Sequence, residues 1–277
     1  MQQRRVDAGG LSFAISEAGS GDRHLLLVHG FTGAKEDFGE VLDRLADAGW
    51  HAVAPDLRGH GSSDQPADEG AYDLERFADD VWALAEALGW DHFVLLGLSL
   101  GGMIAQIAAL RDPGRLDGLV LMDTTHGPLE GIDAGDLELG VSIVREHGMA
   151  ALEELQSTRE DPLASAASLR LRAERPGWAE YERRKFLSSS AAMWVAVVSQ
   201  MVSQVDRLDR LTTLPPSLPV LVIVGEQDRP FLGPSERMAK AVPGARLAVV
   251  ADAGHAPHFE NTDAWWDALT AFLKEVP

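Results

Sequence analysis

The chain has 277 residues, 45% of them hydrophobic, with 24 basic against 43 acidic residues and a net charge of −19. That length suits one large α/β domain, or one domain carrying an insertion; a surface so negative repels nucleic acid and anionic membranes, whose phosphates need clustered Lys and Arg. Cysteine is absent, which excludes disulfides, thiolate catalysis and Cys-based metal sites.

Residues 1–10 are charged and lead into no apolar stretch. No secretory signal is read there, so a cytoplasmic location is expected, although a matured chain would read the same way. Residues 11–15 and 52–54 are weak strand candidates. Short, almost unbroken apolar runs at 25–28, 93–96, 119–122, 220–224 and 247–250 read as strands buried on both faces of a parallel sheet. Between them lie helical stripes: Leu74, Phe77, Val81, Leu84 and Leu88; then Met103, Ile107 and Leu110; finally Trp265, Leu269, Phe272 and Val276. Residues 93–110 carry no charge and are long enough to be weighed as a membrane span. Gly97, Ser99, Gly101, Gly102 and Gln106 divide them instead into a strand, a turn and a helix. From 126 to 214 no strand is read, only helical patterns (Val141, Val144, Leu152 and Leu155; then 193–205) punctuated by Pro162, Pro176 and Gly177. Leu214-Pro215-Pro216-Ser217-Leu218-Pro219 leads stiffly back into the sheet. The expected fold is α/β, a doubly wound and mainly parallel sheet formed by 1–125 and 215–277, with a helical cap over 126–214.

The sharpest chemical signal is Gly97-Leu98-Ser99-Leu100-Gly101-Gly102 between a strand and a helix. A serine hydroxyl that attacks a carbonyl must stand clear of the backbone on a sharp strand-to-helix turn, which strains its own φ/ψ and needs small neighbours. The N–H of Leu100, at the helix N-terminus, then points at a developing oxyanion. His29-Gly30-Phe31-Thr32-Gly33 follows the first apolar run, where the N–H of Phe31 can supply a second donor. Of nine histidines, His255 follows the last apolar run, so its loop ends on the same sheet edge as Ser99. His258 is read as a packed neighbour. Two carboxylates end on that edge, Asp228 and Asp123. The order Ser, Asp, His favours Asp228, and Asp123 is the alternative acid.

These blocks, with Pro55-Asp56-Leu57-Arg58-Gly59-His60-Gly61-Ser62-Ser63 and Gly225-Glu226-Gln227-Asp228, resemble the α/β-hydrolase superfamily, specifically its capped esterase-like and enol-lactonase-like members. The resemblance covers about two thirds of the chain in recognisable order. It implies an acyl-enzyme mechanism: Ser99 attacks, His255 shuttles the proton, Asp228 holds His255, and Phe31 and Leu100 serve the oxyanion. It also implies that residues 56–63 form a structural loop. Relatives that open epoxides or carbon–halogen bonds place Asp where this chain has Ser99. Carbon–carbon hydrolases often carry an aromatic residue after the histidine, where this chain has Ala256.

The expected substrate is a small, apolar, ester-like molecule, and Trp178, Tyr181, Phe186, Met193, Trp194 and His126 are candidates to line its pocket. Two other readings stand beside ester, lactone or thioester cleavage. One is an enol-lactone or carbon–carbon hydrolase or lyase using the same site; the other is a non-enzymatic receptor, which no residue favours. No metal-ligand spacing or phosphate-cradling loop is present, so neither metal nor cofactor is expected. Oligomeric state is not legible.

Overall fold

The computed structural model describes residues 1–131, 133–159 and 161–276. In chain order, β1 (Gln2–Ala8), β2 (Leu11–Ala18) and β3 (Arg23–Val28) are followed by α1 (Gly39–Asp47), β4 (Trp50–Pro55) and α2 (Leu74–Ala87). Then come β5 (Phe93–Leu98), α3 (Leu100–Arg111) and β6 (Leu116–Met122). Five helices occupy the stretch before the next strand: α4 (Ala134–Ser157), α5 (Ala166–Glu174), α6 (Trp178–Leu187), α7 (Ala191–Ser203) and α8 (Leu208–Leu211). The chain closes with β7 (Val220–Gly225), α9 (Arg229–Ala241), β8 (Arg246–Val250), α10 (Pro257–Glu260) and α11 (Thr262–Leu273).

Every apolar run read from the sequence lies in a strand. The sheet has the order β1-β2-β4-β3-β5-β6-β7-β8, antiparallel for β1–β2 and β2–β4 and parallel from β4 to β8. Alternation along β3 divides the core in two. Leu26 and Val28 join Phe77, Met103 and Ile104 on one side of the sheet, whereas Leu25 and Leu27 join Phe38, Leu42, Trp265 and Leu269 on the other. Helices therefore cover both faces, which is why these strands need no polar side. Burying each such side chain is worth roughly 1.5–3 kcal/mol.

Two features depart from the expectation. β1 is a polar strand that pairs along its whole length with β2 through a tight turn at Gly9 and Gly10, φ 58° and 83°. β8 does not lie in the sheet interior; it is an edge, where Leu247 and Val249 remain 40% and 47% exposed. Between β6 and β7, α4 carries the stripe expected around Val144 and Leu152, with a break at Gly148 (φ 80°). α7 carries the second helical stripe, bent 96° from α6. No single helix among the described residues is long and apolar enough to cross a membrane.

Candidate active site

Ser99 occupies the turn between β5 and α3 with φ 54° and ψ −114°. Such a backbone is rare for any residue with a Cβ and costs on the order of 1–3 kcal/mol unless its surroundings enforce it. They do. Ser99 N donates to Met122 O at 2.8 Å, and the Thr124 hydroxyl donates to Ser99 O at 2.6 Å. The flanking glycines are required by close approach: a Cβ on Gly97 would stand 2.2 Å from Gly101 O, and one on Gly101 would stand 2.2 Å from Val28 O. Deletion of side chains at these positions lets α3 descend onto β3 and β5 and lifts Ser99 to the rim.

The loop after β3 reaches the same point. A Cβ on Gly30 would lie 3.2 Å from Ser99 Cβ. Leu57 N donates to His29 Nε2 at 3.1 Å, so that nitrogen is the acceptor and Nδ1 carries the hydrogen, donated to Gly30 O at 2.8 Å. Burial holds the His29 ring below its ordinary pKa and hence neutral. Its bond fixes the carbonyl immediately before Phe31. Neither Phe31 N nor Leu100 N is committed to another acceptor among the described residues.

Asp228 and His255 arrive from β7 and β8. His255 Nδ1 and Asp228 Oδ2 are 2.8 Å apart, and the Asp228 side chain is almost fully buried. Burial depresses the His255 pKa, but the charge and hydrogen bond of Asp228, with the charges of Glu260 and Asp161, outweigh it and leave the pKa raised. Ser99 Oγ and His255 share no hydrogen bond here; in such sites that contact often tightens only once substrate is bound. Glu260, to which the sequence reading gave no role, accepts from Gly254 N and Ala256 N and so brackets His255 on both sides. Its signal was an acid closing the short helix that follows the histidine.

Asp123 ends β6 with φ 44° and accepts from Gly225 N at 2.8 Å. Oxygens of Asp123 and Asp228 and a ring nitrogen of His255 lie within 4.8 Å of one another, donor types that can ligate a divalent cation. His255 Nδ1 is already bonded to Asp228, however, and Asp123 Oδ1 to Gly225 N. Of the two carboxylates, only Asp228 is bonded to the imidazole.

The candidate pocket residues divide. The Trp194 ring lies 6.1 Å from that of Phe31, beside the oxyanion loop. Met193 packs over Gly59, and Phe186 joins the larger core cluster. Trp178 and Tyr181 pack on Phe259 of α10. His126 has both ring nitrogens engaged, Nδ1 with Asp206 at 2.8 Å and Nε2 with Arg237 at 3.1 Å. It ties β6 to α9. His258 is buried among Phe38, Phe259 and Trp265, and burial pushes its pKa down to about 4. Asp56 binds Lys35 and Ser62 N within its loop.

Three further sets of contacts, invisible to the sequence, join α5 and α6 to the loops around the candidate site. Asp37, just beyond the oxyanion loop, receives Lys185 and the Tyr181 hydroxyl of α6. Arg170 of α5 donates to Asp252 O and Glu260 O, while Gln227 accepts from Ala167 N.

A mainly parallel sheet that carries a strained serine after β5, a carboxylate after β7 and an imidazole after β8, all at the carboxyl ends of its strands, defines a hydrolase of the doubly wound type. The chain belongs to the α/β-hydrolase family: the family model described as alpha/beta hydrolase fold matches residues 23–262. It is 30% identical over 274 residues to 2-(acetamidomethylene)succinate hydrolase from Mesorhizobium japonicum, covering 98% of this chain and 94% of that one. The thermophilic esterase from Thermogutta terrifontis superposes with a TM-score of 0.84 at 29% identity, over 100% of this chain and 99% of that one. The enol-lactonase from Burkholderia xenovorans LB400 shares the fold, with a TM-score of 0.84 at 21% identity over 98% and 100% of the two chains.

Proposed function

We propose that this hydrolase cleaves a small, apolar carboxylic ester, lactone or thioester through an acyl-enzyme. The observation that carries the reading is the strained Ser99 backbone at the head of α3, the strand-to-helix turn that presents a serine hydroxyl clear of the backbone. In the first step Ser99 Oγ attacks the substrate carbonyl and His255 Nε2 takes its proton. Asp228 stabilises the imidazolium and keeps the hydrogen on Nδ1. The N–H groups of Phe31 and Leu100 receive the negative oxygen. His255 then returns the proton to the leaving alcohol or thiol, and water, activated by the same imidazole, releases the acid. No metal or cofactor enters this scheme.

Residues 126–214 act in this reading as a cap, with Trp194, beside Phe31, as its wall nearest the oxyanion. A second reading, hydrolysis of an enol-type or carbon–carbon bond at the same serine, is motivated by the block Gly97-Leu98-Ser99-Leu100-Gly101-Gly102-Met103, which resembles the enol-lactonase-like members of the family. Ala256 after the histidine weighs against it. The test compares short p-nitrophenyl esters with enol-lactone and vinylogous substrates, for the wild type and Ser99→Ala. The proposal expects preference for simple esters and a loss in Ser99→Ala on the order of 10⁴–10⁶ in kcat. Equal rates for the two proteins overturn it. Preference for the enol-type substrates moves the assignment to the second reading. Failure of a fluorophosphonate to label Ser99 in folded protein points to a receptor.

A further inference from the structure

We infer that Asp123 stands as a neutral carboxylic acid and donates its hydrogen to Asp228 Oδ1, so that two buried carboxyl groups hold one proton and together position His255. The inference rests on the proposed role of Asp228 and His255 and goes beyond treating Asp123 as a spare acid.

Asp123 is fully buried and Asp228 is 2% exposed. Each has one oxygen with a partner: Asp123 Oδ1 receives Gly225 N, and Asp228 Oδ2 faces His255 Nδ1. Each has one buried oxygen with none, Asp123 Oδ2 and Asp228 Oδ1. Ionised carboxylates only accept, so two such oxygens in one pocket cannot satisfy each other, whereas a single proton between them satisfies both. The groups facing Asp123 are Asp228, His255 and Glu260, and no Lys or Arg among the described residues pairs with either aspartate. Like charges this close cannot both persist away from water.

The partners decide where the proton sits. Asp228 faces an imidazole that becomes positive during turnover, which favours its charge. Asp123 is offered only a backbone amide, and burial followed by the negative charge of Asp228 pushes its carboxyl well above the ordinary range. The backbone holds the acid in place: φ of 44° at Asp123, with its N–H on Ile223 O at 2.9 Å, aims the side chain across β7. Asp123 is therefore a positioning residue. Its O–H fixes the rotation of Asp228 about the bond to His255.

The test counts protons on the protein alone. A group neutral in the folded state and ionised when unfolded releases its proton on unfolding, so stability falls as pH rises between the two pKa values. Urea unfolding of the wild type and Asp123→Asn is measured from about pH 5.5 to 8, above the unfolded Asp value of about 3.9. The unfolding constant of the wild type is expected to rise about tenfold more per pH unit than that of Asp123→Asn. Equal slopes overturn the inference, because they mean that both carboxylates are ionised, bridged by water or a cation. The donor role is read separately from kcat/KM. Asp123→Asn keeps an N–H donor and is expected to exceed Asp123→Leu by at least about tenfold, as expected for restoring one well-placed hydrogen bond, with its acid limb where the wild type has it. Equal activity of the two variants overturns the positioning role. The slope does not depend on turnover, so a protein with no esterase activity would sink the proposed function and leave the proton count standing or falling by itself.

Discussion

Lys185→Met tests whether the insertion holds the oxyanion loop through a buried charge. Asp37 has a 5% exposed side chain and Lys185 one that is 17% exposed; the Tyr181 hydroxyl adds a bond of 2.7 Å to the same oxygen. Burial alone would raise the Asp37 pKa, but the charge and hydrogen bond of Lys185, with the hydrogen bond from Ala34 N, overturn that and lower it from 3.8 to about 2. At about 1.4 kcal/mol per unit, ionisation of Asp37 in the folded state contributes about 2 kcal/mol. Removing Lys185 forfeits this and strands a carboxylate, so the expected loss is about 3 kcal/mol at pH 7, at the lower end for a broken buried pair. The sign with pH follows. A depressed carboxylate pKa gives stability fully present above the unfolded value near 4 and lost as pH falls through about 2. In the variant the carboxyl titrates higher, so the stability gap must close on acidification. Urea unfolding at pH 7, 4 and 3 reads both quantities, and Asp37→Asn/Lys185→Met should recover part of the loss. Gly33 leaves Asp37 Oδ2, His29 Nδ1 and Gly30 O within 3.0 Å of the position its Cβ would take. A loosened Asp37 therefore disturbs Phe31, and kcat should fall roughly tenfold, less than the 10²–10³ of losing an oxyanion donor. A gap below about 0.5 kcal/mol, the size of an ordinary surface change, or one independent of pH, refutes the reasoning.

Because His255 is raised above its ordinary value by Asp228, Glu260 and Asp161, the acid limb of kcat/KM should lie above about pH 6.5. Glu260→Gln keeps an acceptor for Gly254 N but removes a charge, and should move that limb down by roughly one pH unit or less; an unmoved limb contradicts the assigned cause. Gly101→Ala drives a Cβ to 2.2 Å from Val28 O. It should destabilise the fold by about 3 kcal/mol or more by thermal unfolding, as severe backbone clashes do, and a variant as stable as wild type would refute the close approach. Dialysis against EDTA should leave ester turnover unchanged, since the carboxylates near His255 are engaged with the ring and with Gly225 N. Loss restored by a divalent ion would assign them to a metal.

The sequence made legible what repeats or is locally forced. Apolar runs located five strands because buried parallel strands have no polar side, residues 11–15 and 52–54 marked β2 and β4 more weakly, and Gly97, Gly101 and Ser99 announced a turn that only small neighbours permit. The order of Asp228 and His255 after their strands placed both at one rim. What escaped depends on pairs distant in the chain or on partners supplied by folding. β1 is polar because it is an edge strand, and only Gly9-Gly10 marked its hairpin. β8 is apolar yet open, since nothing in residues 247–250 records that, among the described residues, no strand pairs with its outer side. The bond from Lys185 to Asp37 spans a separation of 148 residues, and the packing of Trp178 and Tyr181 on Phe259 also joins separate segments. The engagement of both His126 nitrogens was likewise hidden, as Asp206 and Arg237 come from other segments.

The most direct measurement is to trap the intermediate. Rapid acid quenching during turnover of p-nitrophenyl acetate, then proteolysis and mass spectrometry, should find one acetyl group on the peptide containing Ser99, and none in Ser99→Ala. Turnover with Ser99 left unmodified, or acetyl carried by another residue, would contradict the account.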